Sequence, residues 1–424
     1  MIRRLFCLLL TCVLLLTACG QQEEESGSSA SSSEGASSAP SPAQSGQETA
    51  ANTPFTLAAC PSYSFHPVLA ESSANLTLAP LLYEGLFTLD RQFQAVPQLC
   101  QSYTVSADSL TWTFTLQSGV TFSDGTPLTG EAAAQALQIA RGEGSRYAAR
   151  LASVSSIQGS GNQVVITLTQ ANGALPQLLD IPIALGTGDR PLGTGPYVLT
   201  DSGGSLSLTV RSDWWQGAED LPIQQIALSS MTRSEEVMSA FNAGEITLMD
   251  VDLTGSSALG SSGRYQVWDY NTTQLLYVGF NTQRGLCRDI QVRKGIAQAI
   301  NREEVANTIF ARHAVPASLP IHPDSPLYSQ AIGEELAYDL SVLSNLELHG
   351  RSLTLVVNIE NTAKSAAASY IAQQLEQAGL VVTVERLPWS EYQNAVAAGN
   401  FDLYLGDVYL TPDFDLTSLL GPGG

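Results

Sequence analysis

The stretch from residue 353 to residue 405 decides the fold. It reads LTLVVNIENTAKSAAASYIAQQLEQAGLVVTVERLPWSEYQNAVAAGNFDLYL. Apolar side chains recur on one helical face from Ala367 to Ala378, and Gly379 ends that helix. The flanking segments are short and rich in Val, Leu and Ile, which is typical of buried strands. The pattern predicts alternating strands and helices at Leu353–Ile359, Ala366–Ala378, Leu380–Arg386, Ser390–Ala398 and Phe401–Leu405.

Three strands joined by two helices imply a parallel sheet with right-handed crossovers. In sheets of this kind, ligands bind beyond the carboxyl ends of the strands. We therefore expect a ligand near the segments that follow Ile359, Arg386 and Leu405.

The chain before this stretch also alternates between the two types of element. Residues Leu110–Leu116 switch strictly between apolar and polar, which predicts a half-buried strand. The Ala-rich segment Glu131–Arg141 predicts a helix, and Leu76–Phe87 predicts another. The fold class is therefore predicted to be α/β. Further strands are predicted at Phe55–Ala59, Val164–Leu168, Leu206–Val210 and Ile223–Leu228.

The N-terminal residues resemble a bacterial lipoprotein signal. The basic pair Arg3-Arg4 precedes the apolar run Leu5–Leu16, which is too short to cross a membrane. The run ends in Leu-Thr-Ala-Cys, so we predict a signal peptide over 1–18, with cleavage before Cys19 and lipidation of its thiol. An ordinary signal with an incidental Cys is the alternative. Residues 19–53, rich in Ser and Gly, are predicted to tether an extracytoplasmic body to the cell membrane.

The composition excludes one large class of partners. The chain has 40 Asp+Glu against 19 Lys+Arg, a net charge of −21. Non-specific nucleic-acid binding depends on basic side chains that neutralise phosphates, so we expect no nucleic-acid partner. Apolar residues make up 44% of the chain, enough for a sizeable core.

No common catalytic motif is visible in the sequence. Gly193–Tyr197 is rich in Gly, but Pro196 lacks the amide hydrogen that a phosphate cradle would use. His313 and His322 have no helical register and are predicted as solvated loop residues rather than a metal pair. We therefore predict no enzymatic activity, no catalytic residue, no cofactor and no metal site.

Three cysteines follow the predicted signal and lipid site. Cys60, Cys100 and Cys287 are widely spaced and include no C-x-x-C pair. They are predicted to be small buried apolar residues, with one disulfide among them as the alternative.

Seven short motifs, in order, resemble the extracellular solute-binding proteins of family 5, the oligopeptide-, dipeptide- and nickel-binding partners of ABC importers. The resemblance covers nearly the whole body of the chain, although the chain is short for the family at its C-terminal end. The motifs lie at Leu81–Phe87, Ala107–Glu131, Gly193–Tyr197, Arg211–Trp215, Phe241–Ile246 with Asp250, Phe280–Thr282 and Val292–Arg302.

The resemblance implies a two-lobe, periplasmic-binding-protein-like (type II) clamp that closes on its ligand. Lobe I is expected over 54–275, with an inserted subdomain near 88–185. Lobe II is expected over 276–410, and 411–424 is expected to be a truncated return segment. Hinge strands are expected near Tyr270–Phe280 and Phe401–Leu410.

The resemblance also implies the function and the partners. The chain is expected to be a monomeric, substrate-binding lipoprotein that delivers a small solute, with a peptide as first choice, to the permease subunits of an ABC importer. A nickel complex, haem or a sugar remain alternative ligands. A non-transporting receptor, a defective truncated copy and an extracellular hydrolase remain alternative functions.

Candidate ligand residues also come from the resemblance. Phe65 and His66 occupy the slot of a family loop near the cleft, and Phe280 and Asn281 follow the first hinge strand. Trp389 matches a family Trp that lines a side-chain pocket, with a core position in lobe II as the alternative.

One family feature is missing from its usual place. Peptide binders of this family carry a Trp and, three residues later, an Asp that pairs with the peptide ammonium. Val408 and Thr411 stand in those slots. We therefore expect nearby Asp407, Tyr409 and Asp413 to face the ligand, with Asp413 as the amine-binding residue.

Overall fold

The computed structural model describes residues 54–255 and 265–421. The predicted signal, the tether and Cys19 lie outside the described residues. The described chain divides into two compact units. The first unit holds the residues up to Tyr83, Ser118–Leu128 and Ala184–Met249. The second holds Glu84–Gln117, Thr129–Ile183 and the residues from Asp250 onward.

Most of the predicted inserted subdomain, 88–185, falls in the second unit, with the residues of predicted lobe II. The predicted lobe boundaries stay a prediction.

The structure describes strands throughout both units. In chain order they are β1 Thr56–Ala59, β2 Glu84–Gly85, β3 Phe87–Leu89, β4 Ala95–Pro97, β5 Cys100–Val105, β6 Thr111–Leu116, β7 Val154–Ser160, β8 Gln163–Leu168, β9 Pro182–Leu185, β10 Leu192–Gly193, β11 Tyr197–Ser202, β12 Ser205–Val210, β13 Gln225–Ser230, β14 Gln274–Phe280, β15 Ser352–Asn358, β16 Val381–Leu387 and β17 Leu403–Tyr409.

Helices lie between many of these strands. The α-helices are α1 Ser73–Thr77, α2 Ala79–Leu82, α3 Gly130–Arg141, α4 Val237–Asn242, α5 Ile290–Ala299, α6 Arg302–Thr308, α7 Gln330–Glu334, α8 Leu340–Ser344, α9 Thr362–Gln377, α10 Trp389–Ala397 and α11 Thr417–Leu420. Short 3₁₀ turns occur at Ala148–Leu151, Leu175–Leu178, Ser234–Glu236 and Leu286–Arg288.

The first unit is built on a sheet with the strand order β1-β13-β12-β11. β1 runs parallel to β13, and the other pairs are antiparallel. Leu57, Leu82, Tyr197 and Leu208 are among the buried side chains that form its core. The strands predicted at the start of the chain and around residues 206–228 are confirmed, each within two residues of its predicted limits.

Glycine motifs allow close backbone packing in the first unit. A Cβ on Gly193 would lie 1.9 Å from the Leu82 carbonyl oxygen, and one on Gly195 would lie 2.6 Å from the Leu82 carbonyl carbon. Gly195 also donates its amide hydrogen to the Leu82 carbonyl at 3.0 Å. The Gly-rich motif therefore serves backbone packing, because any side chain would push the two segments apart.

Arg211 joins three segments of the first unit. Its side chain is 3% exposed and forms a two-pronged contact with Asp213, with 3.2 Å and 3.1 Å distances. It also donates to the carbonyl oxygens of Thr121, Phe122 and Gly193. The planar guanidinium thereby satisfies backbone groups that burial would otherwise leave unpaired.

The predicted helix over Leu76–Phe87 is wrong at its C-terminal half. The chain forms the two short helices α1 and α2 and then enters β2 and β3. Pro80 lies at the start of α2, where its missing amide hydrogen is tolerated, so the first helix ends before it. Beyond Tyr83, strand pairing of Glu84 with Ile183 replaces helical hydrogen bonds.

The second unit contains an antiparallel sheet with the order β5-β6-β8-β7, on which α3 packs. Gly159 and Gly130 permit that packing, since a Cβ on Gly159 would lie 2.0 Å from the Gly130 carbonyl oxygen. The strict alternation of β6 buries Trp112 and Phe114 on one face. The predicted strand and the predicted helix over 131–141 are both confirmed.

The sheet predicted from residues 353–405 forms the core of the second unit. Its order is β14-β17-β15-β16; β15 is parallel to β16 and β17, and β14 is antiparallel to β17. All five predicted elements are confirmed in order and type. Helix α9 begins four residues earlier than predicted, because the Asn361 side chain accepts a hydrogen bond from the Lys364 amide and caps it. Its apolar face packs on Leu355 and Leu405 within the core.

Tyrosines and glycines alternate across the β14–β17 pair. Tyr277 lies opposite Gly406, and Gly279 lies opposite Tyr404. A Cβ on Gly279 would lie 2.0 Å from the Tyr404 ring, and one on Gly406 would lie 2.8 Å from the Tyr277 ring. Each ring therefore lies over the glycine of the neighbouring strand, in space that a side chain would fill.

The three cysteines of the described body are buried and free, so the disulfide alternative is not formed. Burial raises the pKa of Cys100 to about 11 and that of Cys287 to about 12. Among the described residues, no helix has both the length and the apolar character needed to cross a membrane.

Candidate functional site

The candidate site lies at the carboxyl edge of the second unit's parallel strands. β15 ends at Asn358, β16 ends beside it at Leu387, and β17 continues to Tyr409. Helices α9 and α10 begin directly after the first two strands. The edge therefore gathers two helix starts and three strand ends, as the sequence predicted.

An ion pair between a buried lysine and a partly exposed aspartate joins α9 to β17 at this edge. The Lys364 ammonium contacts the Asp407 carboxylate; the lysine side chain is 3% exposed and that of Asp407 is 34% exposed. Lys364 lies at helical spacing with Ala367, Ala368 and Ile371, which all face the core. A lysine on a buried face needs a partner, because an uncompensated buried charge is costly.

Glu360 links the end of β15 to the start of α10. Its carboxylate accepts hydrogen bonds from Asn358 Nδ2 at 3.0 Å and from the Trp389 amide at 2.7 Å. These bonds, with a contribution from the Lys364 charge, lower the pKa of Glu360. The carboxylate therefore stays ionised to lower pH than an ordinary glutamate.

Trp389 presents an aromatic surface at the same edge. Its side chain is 49% exposed, so it does not occupy the core position that was the alternative. The indole stacks on the Tyr392 ring at a centroid distance of 5.6 Å. Tyr392 is itself fixed by donating its hydroxyl hydrogen to the Leu405 carbonyl at 3.0 Å, and Lys364 Nζ lies 5.5 Å from its ring.

Tyr409 lies two residues beyond Asp407 on β17 and therefore on the same face of the sheet. It is 66% exposed, and its hydroxyl donates to Gln274 Oε1 at 3.2 Å. The structure thus brings together Trp389, Asp407 and Tyr409, three of the eight ligand residues predicted from the sequence, at one edge of one sheet.

Phe280 and Asn281 lie at the other end of this sheet. β14 is antiparallel to β17, so Phe280 pairs with Leu403, whereas Leu276 pairs with Asp407. Four residues of strand separate the two rungs by about 13 Å. Asn281 is buried, and its side-chain amide donates to the carbonyl oxygens of Gly399 and Phe401, both at 3.0 Å. These contacts give Asn281 a structural role at the opposite edge.

The Asp413 carboxylate is hydrogen-bonded to other residues of the second unit. It accepts hydrogen bonds from the Thr411 hydroxyl at 2.6 Å and from Asn172 Nδ2 at 3.1 Å. The Asp415 amide lies at 3.4 Å. Asp413 therefore organises the loop that follows β17, where Phe414 adopts a left-handed backbone with φ of 54°.

Phe65 and His66 pack inside the first unit. Both are buried, and the Arg190 guanidinium lies 5.8 Å from the Phe65 ring. His66 Nδ1 accepts a hydrogen bond from the Val68 amide at 3.2 Å. Burial lowers the pKa of His66, so its ring is neutral near pH 7. Their contacts make these residues part of the unit's interior.

Sequence reasoning missed Asn358, Glu360, Lys364 and Tyr392 as members of the site. A signal for Lys364 was present: it is one of only two lysines in the chain, and it lies on the apolar stripe of α9. Glu360 and Asn358 also stood next to the strand end where a ligand was expected.

His313 and His322, which were not predicted to form a metal pair, make separate contacts. His313 Nδ1 lies 2.8 Å from Asp269, whereas His322 accepts from the Asp324 amide and contacts the Phe93 ring. Within residues 54–255 and 265–421, no three His, Cys, Asp or Glu side chains are placed to hold a metal ion.

The sequence model of the bacterial extracellular solute-binding proteins, family 5, matches residues 94–424. A relative from Brucella ovis that is named as an ABC transporter peptide-binding protein is 28% identical over 300 residues. That match covers 65% of this chain, and the chain spans about half of the relative's length, 55%. The nickel-binding periplasmic protein of Escherichia coli is 25% identical over 396 residues, which cover 79% of this chain and 75% of that protein.

A similar solved structure is that of HbpA2 from Haemophilus parasuis. It has a TM-score of 0.69 at 16% identity and covers 87% of this chain and 82% of that one. The likeness confirms the predicted α/β, periplasmic-binding-protein-like fold class.

Proposed function

Since the chain belongs to family 5 of the bacterial extracellular solute-binding proteins, we propose that it captures a small solute for an ABC import system. The observation that carries this proposal is the match of the family's sequence model to residues 94–424. In this proposal the chain binds the solute outside the cytoplasm and delivers it to permease subunits in the membrane. It does so as a monomer and without catalytic residues.

A peptide is the solute that we propose. The peptide-binding name of the Brucella ovis relative supports this choice. The chemistry of the carboxyl edge supports it as well, since a peptide offers both charged groups and apolar side chains. Trp389 can cover an apolar side chain, and the charged side chains beside it can bind polar groups.

Trp389, Asp407 and Tyr409 remain our proposed ligand residues. We propose structural roles for the other five predicted residues, which are engaged or buried as described above: Phe65, His66, Phe280, Asn281 and Asp413.

The lipid anchor and the lobe boundaries also remain part of the proposal. We propose that Cys19 is lipidated after removal of residues 1–18 and that residues 19–53 act as the tether. We also propose the two lobes and their hinge strands with the predicted boundaries: lobe I over 54–275 and lobe II over 276–410. Two acyl chains on one Cys would suffice for stable anchoring.

Ligand identification tests the proposed function directly. The protein is purified from its native membrane, and the small molecules released on denaturation are identified by mass spectrometry. Thermal unfolding is then measured with the identified compound and with peptide pools. We expect saturable stabilisation by a peptide; no response to peptides, amino acids, sugars, haem or metal complexes would contradict the proposal.

A matched pair of variants localises the binding. Trp389→Ala should weaken binding, because it removes the half-exposed ring at the carboxyl edge. Tyr103→Ala is the control, since Tyr103 is similarly exposed, at 46%, and lies on β5 in a different sheet. Equal effects of the two substitutions on affinity would show that binding does not involve this edge.

A further inference from the structure

A recess lies at the amino edge of the second unit's sheet, opposite the candidate solute site. Its volume is about 350 Å³, within the roughly 300–1,000 Å³ that is usual for small-molecule sites. All the residues that line it belong to the second unit. Three apolar and three polar residues are among them: Phe280, Val396, Phe401, Thr282, Gln283 and Arg284. Such a lining suits a ligand that has both an apolar part and a polar part.

A buried side chain, that of Asn281, holds together the two segments that border the recess. Its Nδ2 atom donates hydrogen bonds to the carbonyl oxygens of Gly399 and Phe401, both at 3.0 Å. Its Oδ1 atom accepts hydrogen bonds from the amides of Gln283 at 3.0 Å and Arg284 at 3.3 Å. The walls are therefore fixed before any ligand binds, as is typical of small-molecule sites.

The Arg284 guanidinium lies at the recess with most of its donors unused. Its Nη2 atom donates to Asn400 Oδ1 at 3.0 Å, and the guanidinium forms no other hydrogen bond within residues 54–255 and 265–421. Nη2 also lies 3.6 Å from the position that a Cβ on Gly399 would occupy, and Gly399 lines the recess. A guanidinium presents its N–H donors as a planar fork that matches a carboxylate. Arg284 can therefore bind a carboxylate with two hydrogen bonds at once.

The segment around Arg284 has an excess of positive charge. It holds four basic residues, Arg284, Arg288, Arg293 and Lys294, but one acidic residue, Asp289, which caps α5. The whole chain has 40 acidic and 19 basic residues, so a basic side chain is expected to find a carboxylate partner. In the part of the chain that the structure describes, none of these four forms an ion pair. The segment therefore attracts an anion from outside the chain.

The surroundings of the recess favour a singly charged carboxylate over a phosphate. The amides of Gln283 and Arg284 are already hydrogen-bonded, so they are not free to hold additional anionic oxygens. The last turn of α10 lines the recess, and the carboxyl end of a helix disfavours negative charge. The Asp402 carboxylate lies behind Gly285, where a Cβ would be 2.5 Å from its Oδ1. One guanidinium against this background suits one negative charge.

We propose that this recess is a second binding site, for a small molecule that carries one carboxylate on an apolar group. Arg284 binds the carboxylate through two parallel hydrogen bonds, and Phe280 and Phe401 contact the apolar group. The basic residues that follow Arg284 strengthen the attraction. The recess and the candidate solute site lie at opposite edges of one sheet, so the inference does not depend on the proposed import function.

Four probes test this inference. They are 3-phenylpropanoate, its neutral amide 3-phenylpropanamide, acetate and phenyl phosphate, each titrated calorimetrically into the full-length chain at pH 7. We expect 3-phenylpropanoate to bind about tenfold or more tightly than the amide, which lacks the charge, and than acetate, which lacks the apolar group. Equal affinities for 3-phenylpropanoate and its amide, or no binding by any probe, would overturn the inference. Tighter binding of phenyl phosphate would overturn the choice of a carboxylate.

Variants of Arg284 place the effect at the recess. Arg284→Met removes the guanidinium and should lower the affinity for 3-phenylpropanoate about tenfold, to that of the amide. Arg284→Lys keeps the charge without the planar fork and should lose part of the affinity. Arg284 is exposed, so we expect both variants to fold, and thermal unfolding checks this.

Arg141→Met is the matched control. It removes the same charge from an exposed residue at the end of α3, which packs on a different sheet. Equal losses of affinity in Arg141→Met and Arg284→Met would contradict the inference. Weaker binding of 3-phenylpropanoate to Trp389→Ala, with unchanged binding to Arg284→Met, would place the carboxylate at the carboxyl edge. That result would overturn this inference and leave the proposed function intact.

Discussion

Lys364 and Asp407 form an ion pair in which the lysine is almost fully buried and the aspartate is one-third exposed. The pair fixes the first turn of α9 against the last part of β17. The contact supplies the buried ammonium with its counter-charge at the candidate site.

Removal of the aspartate charge should destabilise the protein more than removal of the whole pair. Asp407→Asn leaves the Lys364 ammonium buried without a counter-charge, and we expect a loss of about 3 kcal/mol in the free energy of unfolding. The double variant Asp407→Asn with Lys364→Met should recover most of that loss. Urea unfolding at pH 7 measures the free energy of unfolding of the single and the double variant. A double variant that is less stable than Asp407→Asn would contradict this account.

Gly193 should not tolerate a side chain. Gly193→Ala places a Cβ 1.9 Å from the Leu82 carbonyl oxygen, so the two backbones must separate. We expect a destabilisation of about 3 kcal/mol, comparable with overpacking of a core. Gly188→Ala is the control in the same unit, because no heavy atom lies within 4 Å of its Cβ position. Thermal unfolding of the two variants should differ by several degrees, and similar melting temperatures would refute the packing role.

Arg211 should not be replaceable by lysine. Arg211→Lys keeps the charge but loses the planar guanidinium, which donates hydrogen bonds to Asp213 and to the carbonyl oxygens of Phe122 and Gly193. With buried carbonyl groups left unpaired, we expect a loss of about 2–4 kcal/mol.

Arg190→Lys is the matched control for Arg211→Lys. Its guanidinium pairs with Asp201, and both side chains are more than 40% exposed. An exposed pair contributes about 0–1 kcal/mol, so this variant should unfold nearly as the wild type does. If urea unfolding shows the same loss in the free energy of unfolding for both lysine variants, the buried guanidinium contacts of Arg211 contribute little to stability.

Glu360 should make stability depend on pH in the acid range. Its pKa is lowered in the folded state by hydrogen bonds from Asn358 and the Trp389 amide. The unfolded chain therefore binds the proton first as the pH falls. The contribution is complete above the ordinary glutamate pKa of 4.5 and is lost as the pH falls through the lower folded value.

The variant Glu360→Gln checks this dependence. Its deficit relative to the wild type should be constant between pH 6 and pH 7 and should shrink below about pH 4.5. Urea unfolding over this range measures the deficit. A deficit that grows on acidification would show that the carboxylate is not stabilised by these bonds.

The buried cysteines should resist alkylation in the folded protein. Burial raises the pKa values of Cys100 and Cys287, so little thiolate exists at pH 8, and the side chains are shielded from the reagent. Peptide mapping after iodoacetamide treatment should find Cys60, Cys100 and Cys287 unmodified in buffer and modified in 8 M urea. Rapid labelling of Cys100 in buffer would indicate that β5 opens readily.

Much of the second unit's sheet could be predicted from the sequence, because strand and helix periods in residues 353–405 are unambiguous. The helix predicted over 76–87 fails for a tertiary reason. Local pattern favoured helix, yet Pro80 interrupts it and Glu84 finds a strand partner about one hundred residues later, at Ile183. No local signal in the sequence reports such a partner.

The sequence predicted where the candidate site lies, but not which side chains contact one another there. The ends of parallel strands were expected to bind a ligand, and Trp389 and Asp407 lie there. Phe280 was expected near the ligand because it follows the expected first hinge strand, but the antiparallel direction of β14 carries it to the opposite edge. The pairing of Lys364 with Asp407 depends on the rotation of α9 about its axis and on strand register, neither of which the sequence states.

The reciprocal placement of Tyr277 over Gly406 and of Tyr404 over Gly279 has a mechanical consequence. A slip of β14 along β17 by two residues would move Tyr277 off Gly406 and place it opposite Tyr404 or Val408, where a side chain fills the space. The two tyrosine–glycine pairs therefore fix the register of β14 against β17 and resist sliding along the strands.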